Sequence, residues 1–176
     1  FYVAPSFDRL RVWHGFIVIH QGLYKGGTFK FRIDIPDEYP SVGPKVHFLS
    51  AVYHPFVHQR TMQLHLGWAI KRWTYPKHCI LYVLKRLKKM FYIADFSKYP
   101  AIWALAKKMS LTDQRAFEEK AKASAKQSLQ REKLYETPER GSSIKFSEPN
   151  RAHRIFFENY CKSRGIAPPP LPKGAE

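Results

Sequence analysis

Two thiols, four imidazoles within 25 residues of one another and a run of cations are the groups in this chain that could do chemistry. Cys79, preceded by His78, could be a nucleophile, because a thiolate attacks at an accessible pKa and a neighbouring imidazole can take the proton. Adjacent residues of a helix point about 100° apart, which places His78 badly as that base. A small buried apolar residue is the plainer reading of Cys79. Cys161 has no partner that the sequence names. Two cysteines make no disulfide framework and fit a reducing compartment, so the expectation is a cytoplasmic protein. His54, His58, His65 and His78 offer metal-ligating nitrogens, but structural zinc wants four ligands in a tight pattern, often with cysteine pairs. The reading is therefore no metal and no cofactor. Lys85, Arg86, Lys88 and Lys89 could together meet an acidic partner or anionic lipid, although a charge run on a helix is more often its solvated side.

The surrounding composition bounds what these groups serve. The chain has 176 residues, 44% apolar and 15% aromatic, which argues for a folded domain with a real core. Thirty Lys and Arg face fourteen Asp and Glu, a formal charge of +16 that attracts polyanions. The cations are spread along the chain, and neither an RRM-type motif nor zinc-finger spacing accompanies them, so no nucleic acid is expected. Peripheral contact with a membrane is compatible with the charge, whereas no apolar run reaches the length of a membrane span. The chain opens Phe1-Tyr2-Val3-Ala4-Pro5, without a starting Met or a basic leader. No signal peptide is read, and the N-terminus is expected to be incomplete.

The elements that must position these residues follow from periodicity. Val12 to Ile19 is rich in β-branched and aromatic residues, and Phe29, Phe31, Ile33 and Ile35 alternate with Lys30, Arg32 and Asp34. Gly22, Gly26 and Gly27 lie between, so the two runs are expected to pair as an antiparallel hairpin. Pro36 to Pro40 breaks the ladder, and a third strand fits Lys45 to Leu49. From Lys77 the period becomes helical, with Ile80, Leu84, Leu87 and Phe91 inward and Lys85, Arg86, Lys88 and Lys89 turned away. Pro76 fits a first helical turn. A short helix is expected over Ala101 to Met109, and a longer one over Thr112 to Leu134. Ser110 and Asp113 have capping-box spacing at the start of the latter, and its thin stripe is Phe117, Ala121, Leu129 and Tyr135. The expected organisation is a core domain over 1–135, then 136–176 as linker, short helix (Arg151 to Arg164) and proline-rich tail. Ala167-Pro168-Pro169-Pro170-Leu171-Pro172 reads as polyproline II, either a frayed linker or an SH3-type ligand.

Strands, a proline-rich loop, an irregular stretch and then helices give an α+β class. The ordered words Tyr24-Lys25-Gly26-Gly27, Phe31 to Pro36, Tyr39-Pro40, Pro44-Lys45-Val46, Tyr53-His54-Pro55 and Trp73 resemble the ubiquitin-conjugating (UBC) fold, an antiparallel β-meander flanked by helices. Within that family the chain is most similar to the fused-toes group of AKT-interacting protein and crossbronx, through Tyr2 to Ser6, Gln21 to Tyr24, His54-Pro55-Phe56-Val57, Gln63-Leu64, Val83-Leu84, Tyr135 to Pro138 and Ile144 to Ser147. The resemblance implies a first helix ahead of Phe1, and further helices after the meander. It also implies that His54-Pro55-Phe56 stands where active enzymes carry His-Pro-Asn, and that Leu64 stands at the cysteine. Phe56 has no donor for an oxyanion, and an isobutyl group has no lone pair. The implied protein is a catalytically inactive variant, an adaptor in vesicle and endosome traffic alongside a Hook-type motor adaptor and a kinase, with noncovalent ubiquitin binding as a further option. The alternatives are an active ubiquitin-transfer enzyme using Cys79, or a basic nucleic-acid or membrane-surface binder.

Overall fold

Alternation along residues 28–35 sets the architecture: every second side chain can be buried only if the run is a strand with one wet face. In the computed structural model, which describes residues 1–135, 139–147 and 150–167 apart from the side chain of Arg131, this run is β3, Thr28–Asp34. Its neighbours are β1 (Tyr2–Pro5), β2 (Val12–Val18) and β4 (Lys45–Phe48). The four form one antiparallel meander in the order β1-β2-β3-β4. Register puts Phe31 opposite Gly15 and Phe48, and Ile33 opposite Trp13 and Val46. Gly15 is required there, because a Cβ would stand 2.5 Å from the Phe31 ring. The expected hairpin and third strand are present, and the class is α+β. Strand β1 was not expected from the sequence. It is a four-residue edge strand ending in Pro5, too short to show alternation.

The helices are α1 (Ile80–Met90), α2 (Ala104–Thr112), α3 (Gln114–Ser128), α4 (Arg131–Leu134) and α5 (Arg151–Ser163). Val83, Leu84, Leu87 and Met90 of α1 and Phe117, Ala121 and Ala125 of α3 bury against the inner sheet face, in one core with Ile17, Phe29, Phe31, Ile33, Val46 and Phe48. Three expectations need correction. Pro76 is not in the first turn of α1: Cys79 caps that helix in extended conformation. The helix expected over Thr112 to Leu134 is two helices, and its cap is Asp113, whose carboxylate accepts from the Ala116 amide, while Ser110 lies inside α2. Leu129 is exposed, and the stripe continues through Ser124 and Ser128. The Ser128 hydroxyl accepts the amide of Thr28 at 2.9 Å and donates to the Ala125 carbonyl, so a tertiary bond rather than a helix breaker sets the end of α3.

The outer sheet face carries a polar network: Arg32 contacts Asp34 and Glu139, His47 contacts Asp34, and His14 contacts Glu139 at 3.2 Å. Residues Phe1–Lys145 make one compact unit and Phe146–Glu176 a second, whose described part is α5 and its flanks. The polyproline reading of 168–172 and the words at 136–138 fall outside the described residues. No helix among the described residues is long and apolar enough to cross a membrane.

Candidate functional site

His54, Pro55, Phe56 and Leu64 come together. Between Val57 and Leu64 the chain folds back on itself: the two residues form an antiparallel bridge, and the His65 amide donates to the Phe56 carbonyl at 2.8 Å. The amide of Leu64 donates to Val46 of β4, which anchors the returning strand to the sheet. Met62 takes a left-handed backbone (φ 53°) inside this loop, a conformation that favours glycine over a long side chain.

His54 is fully buried, and both of its ring nitrogens are used. Nε2 lies 3.1 Å from the Met90 carbonyl at the end of α1, and Nδ1 accepts from the Phe56 amide at 3.1 Å. A carbonyl only accepts and an amide N–H only donates, so the proton sits on Nε2 and the ring is neutral. Burial drives its pKa down to about 3, against a smaller opposing pull from the Met90 carbonyl. His54 thus orders its loop by hydrogen bonding, and near neutrality it stays uncharged with its one ring proton held on Nε2.

Phe56 is also fully buried. It stacks on Trp68 at 4.8 Å and 10°, and meets His54, Phe96 and Tyr99 edge-on or tilted at 5.0 to 5.9 Å. Leu64 is 3% exposed. The cluster is therefore packed core: an aromatic box filled by Phe56. Pro55 contributes its carbonyl, which accepts from the amides of Ile102 and Trp103 and ties the box to the approach to α2. A cavity of about 700 Å³ exists elsewhere, between His14, Lys30, Ser50, Gln127, Glu132 and Glu139, and none of the four residues lines it.

The other candidate groups are dispersed. Cys79 and His78 precede α1 and are not both helical, which corrects the geometry expected for them. His78 is buried, accepts from the Thr74 amide through Nδ1 and packs on Trp73 and Tyr82. Cys79 lies eleven residues before Met90, whose carbonyl meets His54. At about 1.5 Å rise per residue the thiol is roughly 16 Å along the helix from that imidazole. His58 caps its own turn by accepting from Thr61, and His65 is exposed. Among the described residues no three His, Cys, Asp or Glu side chains are placed to hold a metal ion. Cys161 is buried in α5. Lys85, Lys88 and Lys89 project into solvent from α1, while Arg86 is half-buried with its guanidinium over the Tyr82 ring at 4.4 Å, so it is not turned away as the periodicity suggested. Sequence reasoning missed the partners of Phe56: Trp68, Phe96 and Tyr99 are spread over thirty residues with no common period.

Comparison with known proteins agrees with this architecture. The family model for ubiquitin-conjugating enzyme matches residues 1–125. The AKT-interacting protein of Rattus norvegicus is 38% identical over 95 residues, 53% of this chain and 32% of that protein. A protein crossbronx homolog of Culex quinquefasciatus is 35% identical over 103 residues, 57% of this chain and 44% of that protein. The chain thus spans well under two thirds of the length of these curated relatives. A solved Toxoplasma gondii ubiquitin conjugating enzyme superposes with a TM-score of 0.60 at 25% identity, covering 70% of this chain and 84% of that one.

Proposed function

This chain belongs to the ubiquitin-conjugating enzyme family, and we propose that within it the protein is a catalytically inactive variant that works by binding other proteins. The observation that carries the reading is the pair Phe56 and Leu64, two buried hydrocarbon side chains at the positions where the resemblance places the oxyanion donor and the nucleophile. Losing one oxyanion donor costs about a hundred- to a thousand-fold in rate, and losing the nucleophile removes the covalent intermediate altogether. Cys79, at the far end of α1 from His54, is no substitute. Likeness to the fused-toes group, and relatives whose name says they interact with AKT, are the grounds for proposing a kinase and a Hook-type motor adaptor as partners. Vesicle and endosome traffic in the cytoplasm is the setting proposed with them. Noncovalent ubiquitin binding fits the family, and Lys85, Lys88 and Lys89 are the exposed cations offered to an acidic partner.

Incubation with activating enzyme, ATP and ubiquitin is expected to leave the chain unmodified by intact mass. A thiol-sensitive adduct, above all one lost in Cys79→Ala, would overturn the inactive assignment. Affinity purification from cells followed by mass spectrometry tests the adaptor role. Recovery of a motor adaptor or kinase supports it, and recovery of neither removes it.

Leu64→Cys alone is expected to restore no lysine transfer. The new thiol would be buried among apolar groups that disfavour the thiolate, and Phe56 would still offer no donor. Ubiquitin discharge onto free lysine, followed on a reducing gel, is the readout; robust discharge by this single variant contradicts the proposed roles.

A further inference from the structure

Helix α5 leaves an aromatic face in water. Phe156 keeps 74% of its surface exposed, and Ile155, Phe157 and Tyr160 keep 46% to 49%. At about 100° per residue Phe156, Tyr160 and Phe157 share an arc roughly 100° wide that also holds His153 and Arg164, and Arg151 and Lys162 lie on the opposite side together with Ile155. Ile166, also exposed, extends the apolar surface just beyond the last turn. The charges are one-sided too. Residues 150–167 hold Arg151, Arg154, Lys162 and Arg164 against a single acid, Glu158. Arg154 bonds Glu158 at 3.0 Å, and the Arg164 guanidinium lies 5.3 Å from the Tyr160 ring.

We propose that α5 docks on an anionic lipid surface, lying in the plane of the interface. Phe156, Phe157 and Tyr160 on one side, with Arg151 and Lys162 opposite and Arg164 beside the Tyr160 ring, are the pattern of a helix that sinks its rings to the boundary of headgroups and acyl chains, with its cations held by anionic headgroups. Charge complementarity selects this occupant. A nucleic acid would use the cations but leave Phe156 and Phe157 wet. A neutral apolar groove would use the rings but not four cations. The contact is reversible, since one short helix is a single membrane signal. Helix α5 lies outside the residues matched by the family, so this inference stands whether or not the protein is catalytically inactive.

The full chain should co-sediment with phosphatidylcholine vesicles containing phosphatidylserine, and much less with phosphatidylcholine alone or in high salt. Phe156→Ser with Phe157→Ser is expected to weaken that binding by about tenfold or more. Arg151→Glu with Lys162→Glu, which spares the rings, is expected to do the same. All four positions are exposed, and circular dichroism checks that the fold survives. Lys71→Glu with Lys77→Glu, exposed cations outside α5, should retain binding within about twofold. The proposal is overturned if the wild-type chain ignores phosphatidylserine vesicles, if the ring variant binds undiminished, or if the Lys71/Lys77 variant loses as much as the α5 variants. It is also overturned if sedimentation equilibrium shows a dimer that the ring variant breaks while lipid binding is absent, which would assign the face to a second copy of the chain.

Discussion

Replacing Phe56 by asparagine should lower the free energy of unfolding by roughly 4 kcal/mol or more. Removing a buried phenyl ring leaves a cavity, and large-to-small changes of this kind typically cost about 3–5 kcal/mol. The ring's contacts with Trp68, Phe96 and Tyr99 are lost with it, and pairs of this type are worth about 0.5–1.5 kcal/mol each beyond burial. The incoming amide would then find both nitrogens of His54 already engaged, with the unpartnered indole N–H of buried Trp68 as a donor in the box. Domains of this size are stable by only about 5–15 kcal/mol, so much of the margin would go. Urea denaturation is the measurement. Phe56→Leu, which keeps an apolar side chain, is expected to lose less than half as much. A Phe56→Asn protein within about 1 kcal/mol of wild type would mean that the aromatic box does not hold this part of the core. The consequence for the proposed function is that an asparagine at the position where the resemblance places it is opposed by folding itself, because Phe56 is core.

The second large effect is a pH dependence centred on His54. Its folded pKa is about 3 against an ordinary 6.5. The unfolded chain therefore binds a proton below about pH 6.5 that the folded chain refuses until about pH 3. The stabilisation is complete above 6.5 and is lost progressively as pH falls through that window. At about pH 4.5 the loss from this group is roughly 2.5 kcal/mol, from about 1.4 kcal/mol per pH unit. Urea midpoints of wild type and His54→Gln, compared at neutral pH and near pH 4.5, isolate the term. The variant is expected to be weaker at neutral pH but to have a shallower acid slope by about that amount. Because the variant could fold poorly, the wild-type ring can also be followed directly by NMR. Its resonances should not titrate between about pH 5 and 8, and a midpoint inside that range would contradict a buried neutral imidazole.

Much of this architecture was readable in the chain. Strands β2, β3 and β4 announce themselves because Phe29, Phe31 and Ile33 alternate with charge, and α1 because Leu84, Leu87 and Phe91 recur at helical spacing. What was not readable depended on distant partners. Nothing local ends α3 at Ser128, since no glycine or proline stands between Ser128 and Arg131; a strand amide 100 residues away does. The left-handed turn at Met62 lacked the glycine that would have signalled it. Arg86 lies on Tyr82, an i,i+4 pairing that the charge run concealed. The short helix expected over Arg151 to Arg164 is present as α5, but nothing in the sequence says whether other residues cover Ile155, Phe156 and Tyr160.

The bond between Ser128 and Thr28 has a kinetic corollary. Each turn of the meander joins strands adjacent in the chain, so its loops are cheap to close and can zip early. Seating α3 against the first residue of β3 closes a span of 100 residues, and its entropic toll falls before any contact repays it. The hairpins are therefore expected to assemble ahead of α3. A nascent chain emerging as far as β4 holds every strand of its sheet but neither α1 nor α3, the helices that cover the hydrophobic side.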